Sequence, residues 1–165
     1  MTSKKRVVLI TGAESGIGKS TSKIFLDNGY KVICTYLKNN NNKNTKDIEY
    51  HRIDITKNKD WENLALYIKK KFKKIDVLVN SAGVRLSGNL ETTSMSDWSY
   101  HLNNNVTGTF LACKYILPFL KKAKNSSIIN VASINSIRGV KNMLAYATSK
   151  SAVISFTASL ALDLT

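Results

Sequence analysis

Acidic residues are scarce in this chain of 165 residues: eleven aspartates and glutamates stand against twenty-five lysines and arginines, a formal net charge of +14. Such a balance admits nucleic acid as a partner. The lysines, however, are scattered over 38–46, 57–74 and 121–124, and no aromatic residues interleave with them as a base-stacking platform requires. No nucleic-acid partner is expected, and the positive field suits an anionic cofactor instead. Cysteine is nearly absent too. Cys34 and Cys113 show no metal or redox spacing, so no metal site is expected and a reducing cytoplasm is the expected location. No apolar stretch approaches the roughly 20 residues that span a bilayer. The run Val7-Val8-Leu9-Ile10 behind the basic start is too short for a signal-peptide core and is interrupted by Thr11-Gly12. No internal repeat is visible. With 43% hydrophobic residues, residues 1–165 are expected to form one soluble domain with its own core, with no membrane partner.

Apolar runs rich in β-branched residues alternate with segments of helical period. That alternation predicts βαβ units and a parallel sheet covered by helices on both faces, an α/β Rossmann-like, doubly wound architecture. Strands are expected at 6–11, 31–35, 49–53, 75–80 and 127–132, and helices at 18–28, 59–72, 97–122 and 144–164. Only 36–48 joins the second strand to the third, and the asparagines there predict a mobile surface loop rather than a crossover helix. Pro118, the sole proline, should kink the fourth helical segment or shorten its regular part.

The stretch from Val7 through Thr11-Gly12-Ala13-Glu14-Ser15-Gly16-Ile17-Gly18 into Lys19-Ser20 runs from a buried strand through a glycine turn into a helix. In that context the glycines acquire physical roles. Gly12 permits the tight turn, Gly16 lets backbone approach a pyrophosphate, and Gly18 lets helix pack on strand. The helix N-terminus then offers unpaired N–H groups and partial positive charge to phosphates.

Tyr146 and Lys150 lie one helical turn apart on a shared face, and Ser133 precedes the tyrosine across a strand end. A nearby ammonium favours phenolate over phenol, which makes a group of pKa near ~10 usable as an acid or base. The chain carries the same spacing twice. Tyr67 and Lys71 repeat it, but with Asp54 where a serine would stand and lysines all around, so that copy is expected to be a solvated face.

Five ordered motifs resemble the short-chain dehydrogenase/reductase family over essentially the whole chain. They are the Gly12-Gly16-Gly18 turn, Asp54-Ile55-Thr56, Asn80-Ser81-Ala82-Gly83, Asn105-Val106-Thr107-Gly108, and the set Ser133, Tyr146 and Lys150. The resemblance implies a single Rossmann-type domain that binds a dinucleotide and carries out catalysis. It also implies an oxidoreductase that interconverts a secondary alcohol and a carbonyl by hydride transfer. Tyr146 would be the general acid/base, Lys150 would steady the phenolate and contact the nicotinamide ribose, Ser133 would bond the substrate oxygen, and Asn105 would position a water linking Lys150 to solvent. Cofactor contacts would come from Gly12, Ser15, Gly16, Ile17, Gly18, Tyr36, Lys38, Asp54, Ile55, Asn80, Ala82, Gly83, Tyr146 and Lys150.

Three departures from the family pattern stand out. Ser81 replaces the second asparagine of the Asn80 turn. Ser136 stands where a glycine commonly follows the catalytic serine, which makes it a rival to Ser133. The chain also stops in the fifth helical segment, where relatives continue through two strands and a helix, so the domain is expected to be truncated at its C-terminus. An acid at the end of the second strand selects NAD and a base selects NADP. Tyr36-Leu37-Lys38 has no carboxylate, so NADP is favoured over NAD. The resemblance implies a small alcohol or carbonyl substrate, which Arg85, Ile134, Asn135, Arg138, Asn142 and Met143 would face. The helices at 97–122 and 144–164 resemble those through which relatives form homodimers and homotetramers. A catalytically inactive nucleotide-binding or scaffold protein of the same fold is the alternative.

Overall fold

The computed structural model describes residues 5–38 and 43–164, so the basic start at 1–4, the asparagine tract at 39–42 and Thr165 lie outside the described residues. The apolar runs form five strands: β1 Val7–Thr11, β2 Lys31–Tyr36, β3 Ile48–Arg52, β4 Val77–Asn80 and β5 Ser127–Asn130. All pair in parallel, in the order β3-β2-β1-β4-β5. The chain thus winds outward from β1 to one edge and returns to build the other half, the doubly wound sheet expected from the sequence. Between β1 and β4 the winding direction reverses, and that leaves a crevice at the strands' carboxyl ends.

Successive side chains of a strand point to opposite faces, and both faces here are apolar because both are covered. Val7 and Leu9 of β1, Ile33 of β2 and Leu78 of β4 join one buried cluster; Val8, Ile10, Val32, Cys34, Val77 and Val79 join the other. Helix α1 (Gly16–Asp27) contributes Phe25 and Leu26 to the second cluster. The first is closed by α2 (Asn58–Lys71) through Trp61, Leu64 and Ile68, and by Leu111, Ile116 and Phe119 of a later helix. Burying each of these side chains contributes about 1.5–3 kcal/mol. Trp61 is fully buried, and its indole N–H donates to the Ile55 carbonyl at 2.8 Å. That bond fixes the loop after β3 against α2.

The single helix predicted over 97–122 is three pieces. Helix α3 spans Met95–His101, a π-helical stretch spans Leu102–Thr107, and α4 spans Gly108–Leu120. The wider turn is marked by the Gly108 N–H, which donates to the carbonyl of Asn103 five residues back. The Asn105 carbonyl receives the Thr109 hydroxyl at 2.8 Å. Pro118 does not interrupt α4, which ends two residues later. A 3-10 turn at Ile134–Ser136 then leads to α5, Leu144–Asp163, whose Phe156 and Leu160 pack on the first cluster. Among the described residues no helix is long and apolar enough to cross a membrane.

Candidate active site

The crevice between β1 and β4 is built by backbone approach. Thr11, 2% exposed, accepts hydrogen bonds on its hydroxyl from the N–H groups of Ser81 and Ala82, at 3.1 and 3.0 Å. This ties the turn after β1 to the turn after β4. Gly12 adopts φ +64°, and a Cβ there would stand 2.7 Å from the Ala82 Cα. No larger residue fits without moving the second turn. A Cβ on Gly18 would collide with the Gly12 carbonyl oxygen, so α1 starts directly against the glycine turn. The result is a cleft of about 530 Å³, lined among others by Gly12, Ser15, Gly16, Ile17 and Gly18.

Tyr36 and Lys38 from the end of β2, Ile55 after β3, and Ala82 and Gly83 after β4 line the same cleft. Four of the expected cofactor residues, Asp54, Asn80, Tyr146 and Lys150, do not. Asp54 turns its Oδ1 to the Thr56 N–H and hydroxyl at 2.9 and 2.7 Å, which stabilises the turn after β3. Asn80, 3% exposed, donates from Nδ2 to the Asn130 Oδ1 at 2.8 Å and clamps β4 to β5. The following residues, Ser81 to Gly83, face the cleft in its place.

Deeper in the crevice, Lys150 of α5 is 6% exposed and its ammonium donates to the Val131 carbonyl just past β5, at 2.7 Å. A Cβ on Gly83 would lie 3.4 Å from that ammonium nitrogen and 3.0 Å from the Asn105 Oδ1. A larger residue there would press on both side chains where the β4 turn passes them. Burial pushes the Lys150 pKa below its ordinary value. Asn105, fully buried in the π-helical stretch, accepts from the Val84 N–H at 2.8 Å and donates to the Val84 carbonyl at 3.0 Å. Its amide also donates to the Ser149 hydroxyl at 2.8 Å, which in turn donates to the Tyr146 carbonyl at 2.7 Å. Asn105, Ser149 and the Tyr146 carbonyl are thus one hydrogen-bonded chain, and Gly83 stands between its Asn105 end and the Lys150 ammonium.

Ser133 precedes the 3-10 turn. Its hydroxyl accepts from the Asn135 N–H at 3.2 Å, leaving its own O–H proton available to donate. Ser136 uses its hydroxyl to accept from the Ser133 N–H at 3.1 Å. The rival serine thereby braces the backbone of the first. Of the residues expected to face substrate, Asn142 holds φ +59° and its carbonyl accepts from the Gly88 N–H at 2.8 Å; Met143 pairs with Gly88. Ile134, Arg138 and Arg85 are exposed.

Several residues of the crevice were not singled out in the sequence. Ser149 carried no motif. His101 is 1% exposed; its Nε2 accepts from the Leu86 N–H at 2.9 Å, its Nδ1 bonds the Asp97 carbonyl at 2.7 Å, and its ring stands edge-on to Tyr146 at 6.3 Å. Asn104 and Tyr100 line the cleft beside Val84, and Glu14 lines it beside Leu37. The signal that could have found Glu14 is its place in the glycine turn itself.

The second tyrosine and lysine pair is not a bare solvated face. Tyr67 is half-buried and donates to the Glu49 carboxylate at 2.5 Å, while Lys71 bonds both the Tyr67 hydroxyl at 2.9 Å and Glu49 at 2.7 Å. Burial first, then the Glu49 bond, raise the Tyr67 pKa. The phenol there is held protonated, the reverse of what proton transfer at neutral pH requires. Burial also pushes Glu49 up, but Lys71 and Tyr67 together outweigh it and leave its pKa lowered.

A family model described as short chain dehydrogenase matches residues 6–165. The dehydrogenase/reductase SDR family member 6 of Aquarana catesbeiana is 36% identical over 162 residues, covering 96% of this chain and 64% of that relative. The chain therefore spans a little under two thirds of that relative's length. Among solved structures, aldohexose dehydrogenase of Thermoplasma acidophilum in ligand-free form superposes with a TM-score of 0.90 at 34% identity, covering 97% of this chain and 62% of that one. ElxO with NADP bound matches with a TM-score of 0.87 at 32% identity, covering 97% and 68%.

Two outcomes follow from these contacts. Asn105→Ala strands the Val84 backbone groups and the Ser149 hydroxyl in a buried place, and is expected to lower unfolding stability by about 2–3 kcal/mol in a denaturant titration. A cost within ~0.5 kcal/mol would show that the network is dispensable. The Glu49 carboxyl, with its lowered folded pKa, contributes stability that is present above its unfolded value and lost as pH falls through the folded one. The stability difference between the protein and Glu49→Gln should therefore hold steady above pH ~5 and shrink in acid. A difference independent of pH would refute the ion pair's role.

Proposed function

The chain belongs to the short-chain dehydrogenase family, and on that premise we propose that it is an oxidoreductase that interconverts a secondary alcohol and a carbonyl with a nicotinamide dinucleotide. The observation that carries the reading is the buried Lys150 ammonium, bonded to Val131 past β5 and lying against Gly83, one helical turn from Tyr146. The glycine cradle fits the cofactor's pyrophosphate: Gly12 and Gly18 let the turn close against Ala82 and the start of α1, and Gly16, at φ +50° with nothing beside its Cβ position, leaves its backbone open to the cleft. Backbone N–H groups at the start of α1 would bond the phosphates, and Tyr36, Ile55, Ala82 and Gly83 would flank the rest of the dinucleotide. When bound, the nicotinamide supplies or accepts the hydride.

The protein's own residues manage one proton. Tyr146 would give it to the substrate oxygen in reduction and take it in oxidation. Lys150, fixed by Val131, would keep positive charge next to the phenolate and so stabilise that form. The Ser133 O–H would donate to the same substrate oxygen as negative charge grows there. Asn105 would act through structure, holding Val84 and, by way of Ser149, the first turn of α5. Two side chains of opposite charge reach the position where the nicotinamide dinucleotides differ. Lys38 supports the NADP expected from the sequence, and Glu14 supports NAD.

The substrate is proposed to be a small alcohol or carbonyl compound. The buried free thiols of Cys34 and Cys113 support a reducing, cytoplasmic setting. The edge-to-face pair of Phe110 and Phe156, both partly open to solvent, together with Ile154, supports association through α4 and α5 into a homodimer or homotetramer. Light scattering should then give a mass two or four times that of the chain, and a monomer at all concentrations would refute the association. Replacing Tyr146 by Phe is expected to lower turnover by at least ~10²-fold while dinucleotide binding stays within about twofold. Turnover retained by that variant would remove Tyr146 from the reaction.

A further inference from the structure

The carboxylate that the sequence lacks at the end of β2 arrives there from a different segment. Glu14 belongs to the glycine turn after β1, yet its Oε1 accepts from the Leu37 N–H, at 3.4 Å, one residue past β2. Its Oε2 is buried and has no hydrogen-bond partner among the described residues. Glu14 lines the same cleft as Tyr36, Leu37 and Lys38. A buried carboxylate oxygen with no donor is costly, and a rotation of the Glu14 side chain that presents this oxygen to an O–H donor in the cleft would relieve that cost.

The two nicotinamide dinucleotides differ there in chemistry as well as size. A ribose 2′-hydroxyl can donate one hydrogen bond. A 2′-phosphate, carrying about 1.5–2 negative charges at neutral pH, presents acceptor oxygens and a charge like that of the carboxylate. Lys38 opposes this, but its side chain is exposed, and a solvated ammonium on a flexible stem attracts phosphate weakly. The buried carboxylate oxygen acts where solvent screens less.

We propose that Glu14, rather than Lys38, sets the cofactor preference of this cleft, by accepting a hydrogen bond from the adenosine ribose 2′-hydroxyl and so favouring NAD over NADP. This rests on the dinucleotide reading given above. It makes a glycine-turn residue stand in for the acid that usually ends β2.

Calorimetric titration separates the two ideas without any turnover. The ligands are NAD, NADP, and the pair ADP-ribose and 2′-phospho-ADP-ribose, which carry the same ribose difference and no nicotinamide. The protein should bind NAD more tightly than NADP. Glu14→Gln keeps an acceptor for the Leu37 N–H but removes the charge, and should move the NADP-to-NAD affinity ratio about tenfold or more toward NADP. The ADP-ribose pair should move alike. Glu14→Asp, which retracts the carboxylate by one methylene, should shift the ratio in the same sense and guards against a folding defect in the first variant. Lys38→Ala should change the ratio by less than either. A ratio unmoved in both Glu14 variants, or a protein that prefers NADP, would overturn the proposal. Failure of the unaltered protein to bind any of the four ligands would overturn the dinucleotide reading itself, and this inference with it.

Discussion

The Thr11 hydroxyl sits between two turns and accepts one N–H from each of two residues of the second, Ser81 and Ala82. Most of what the molecule can do depends on that junction. It brings together the ends of the two strands at which the winding reverses, and the missing Cβ of Gly12 lets the backbones meet. On one side the glycine turn opens toward the end of β2; on the other the chain from Ser81 to Val84 runs past Lys150 and into the grip of Asn105. The proposed cofactor cradle and the proposed catalytic group are therefore two sides of one seam rather than separate constructions.

Identical spacing has opposite consequences elsewhere in the chain. Tyr67 and Lys71 are in direct hydrogen-bond contact, as a bare pattern search would hope, but Glu49 bonds both: it accepts from the phenol, which keeps its proton, and it neutralises the ammonium. Among the described residues the Lys150 ammonium bonds a neutral carbonyl, that of Val131. A neutral acceptor holds an ammonium in place without cancelling its charge, which is what the proposed role of Lys150 needs. The third partner, rather than the pair, decides the chemistry.

Sequence patterns exposed the sheet well because its central strands β2, β1 and β4 are buried along nearly their whole length and read as apolar runs, whereas the edge strands β3 and β5 are more open. All five strands lie within two residues of their expected ends. The glycine turn and the Tyr146 helix were legible for a related reason, since backbone approach and helical spacing are local properties. What stayed hidden is long-range. Asp54 and Asn80 have the right residue types in the right order, yet their side chains are used within the scaffold. Glu14 meets Leu37 across 23 positions, and His101 meets Leu86 and Tyr146 only after the loop between β4 and α3 folds back. The π-helical stretch was equally invisible, because hydrophobic period cannot tell one wide turn from an ordinary one.

That wide turn amounts to one residue more than an α-helix would hold over the same rise. The extra residue is taken up within the wide turn, so the flanking pieces α3 and α4 keep the phase of a continuous helix. Loss of a single residue between 102 and 107 would let the backbone relax to regular α-helix. Leu111, Ile116 and Phe119 would stay on the sheet, and the cost would fall on the wide turn itself, where Asn105 would lose its hold on Val84. Chain length through this stretch is thus fixed more tightly than residue identity, and an alignment gap there would signal a different active-site wall rather than a harmless deletion.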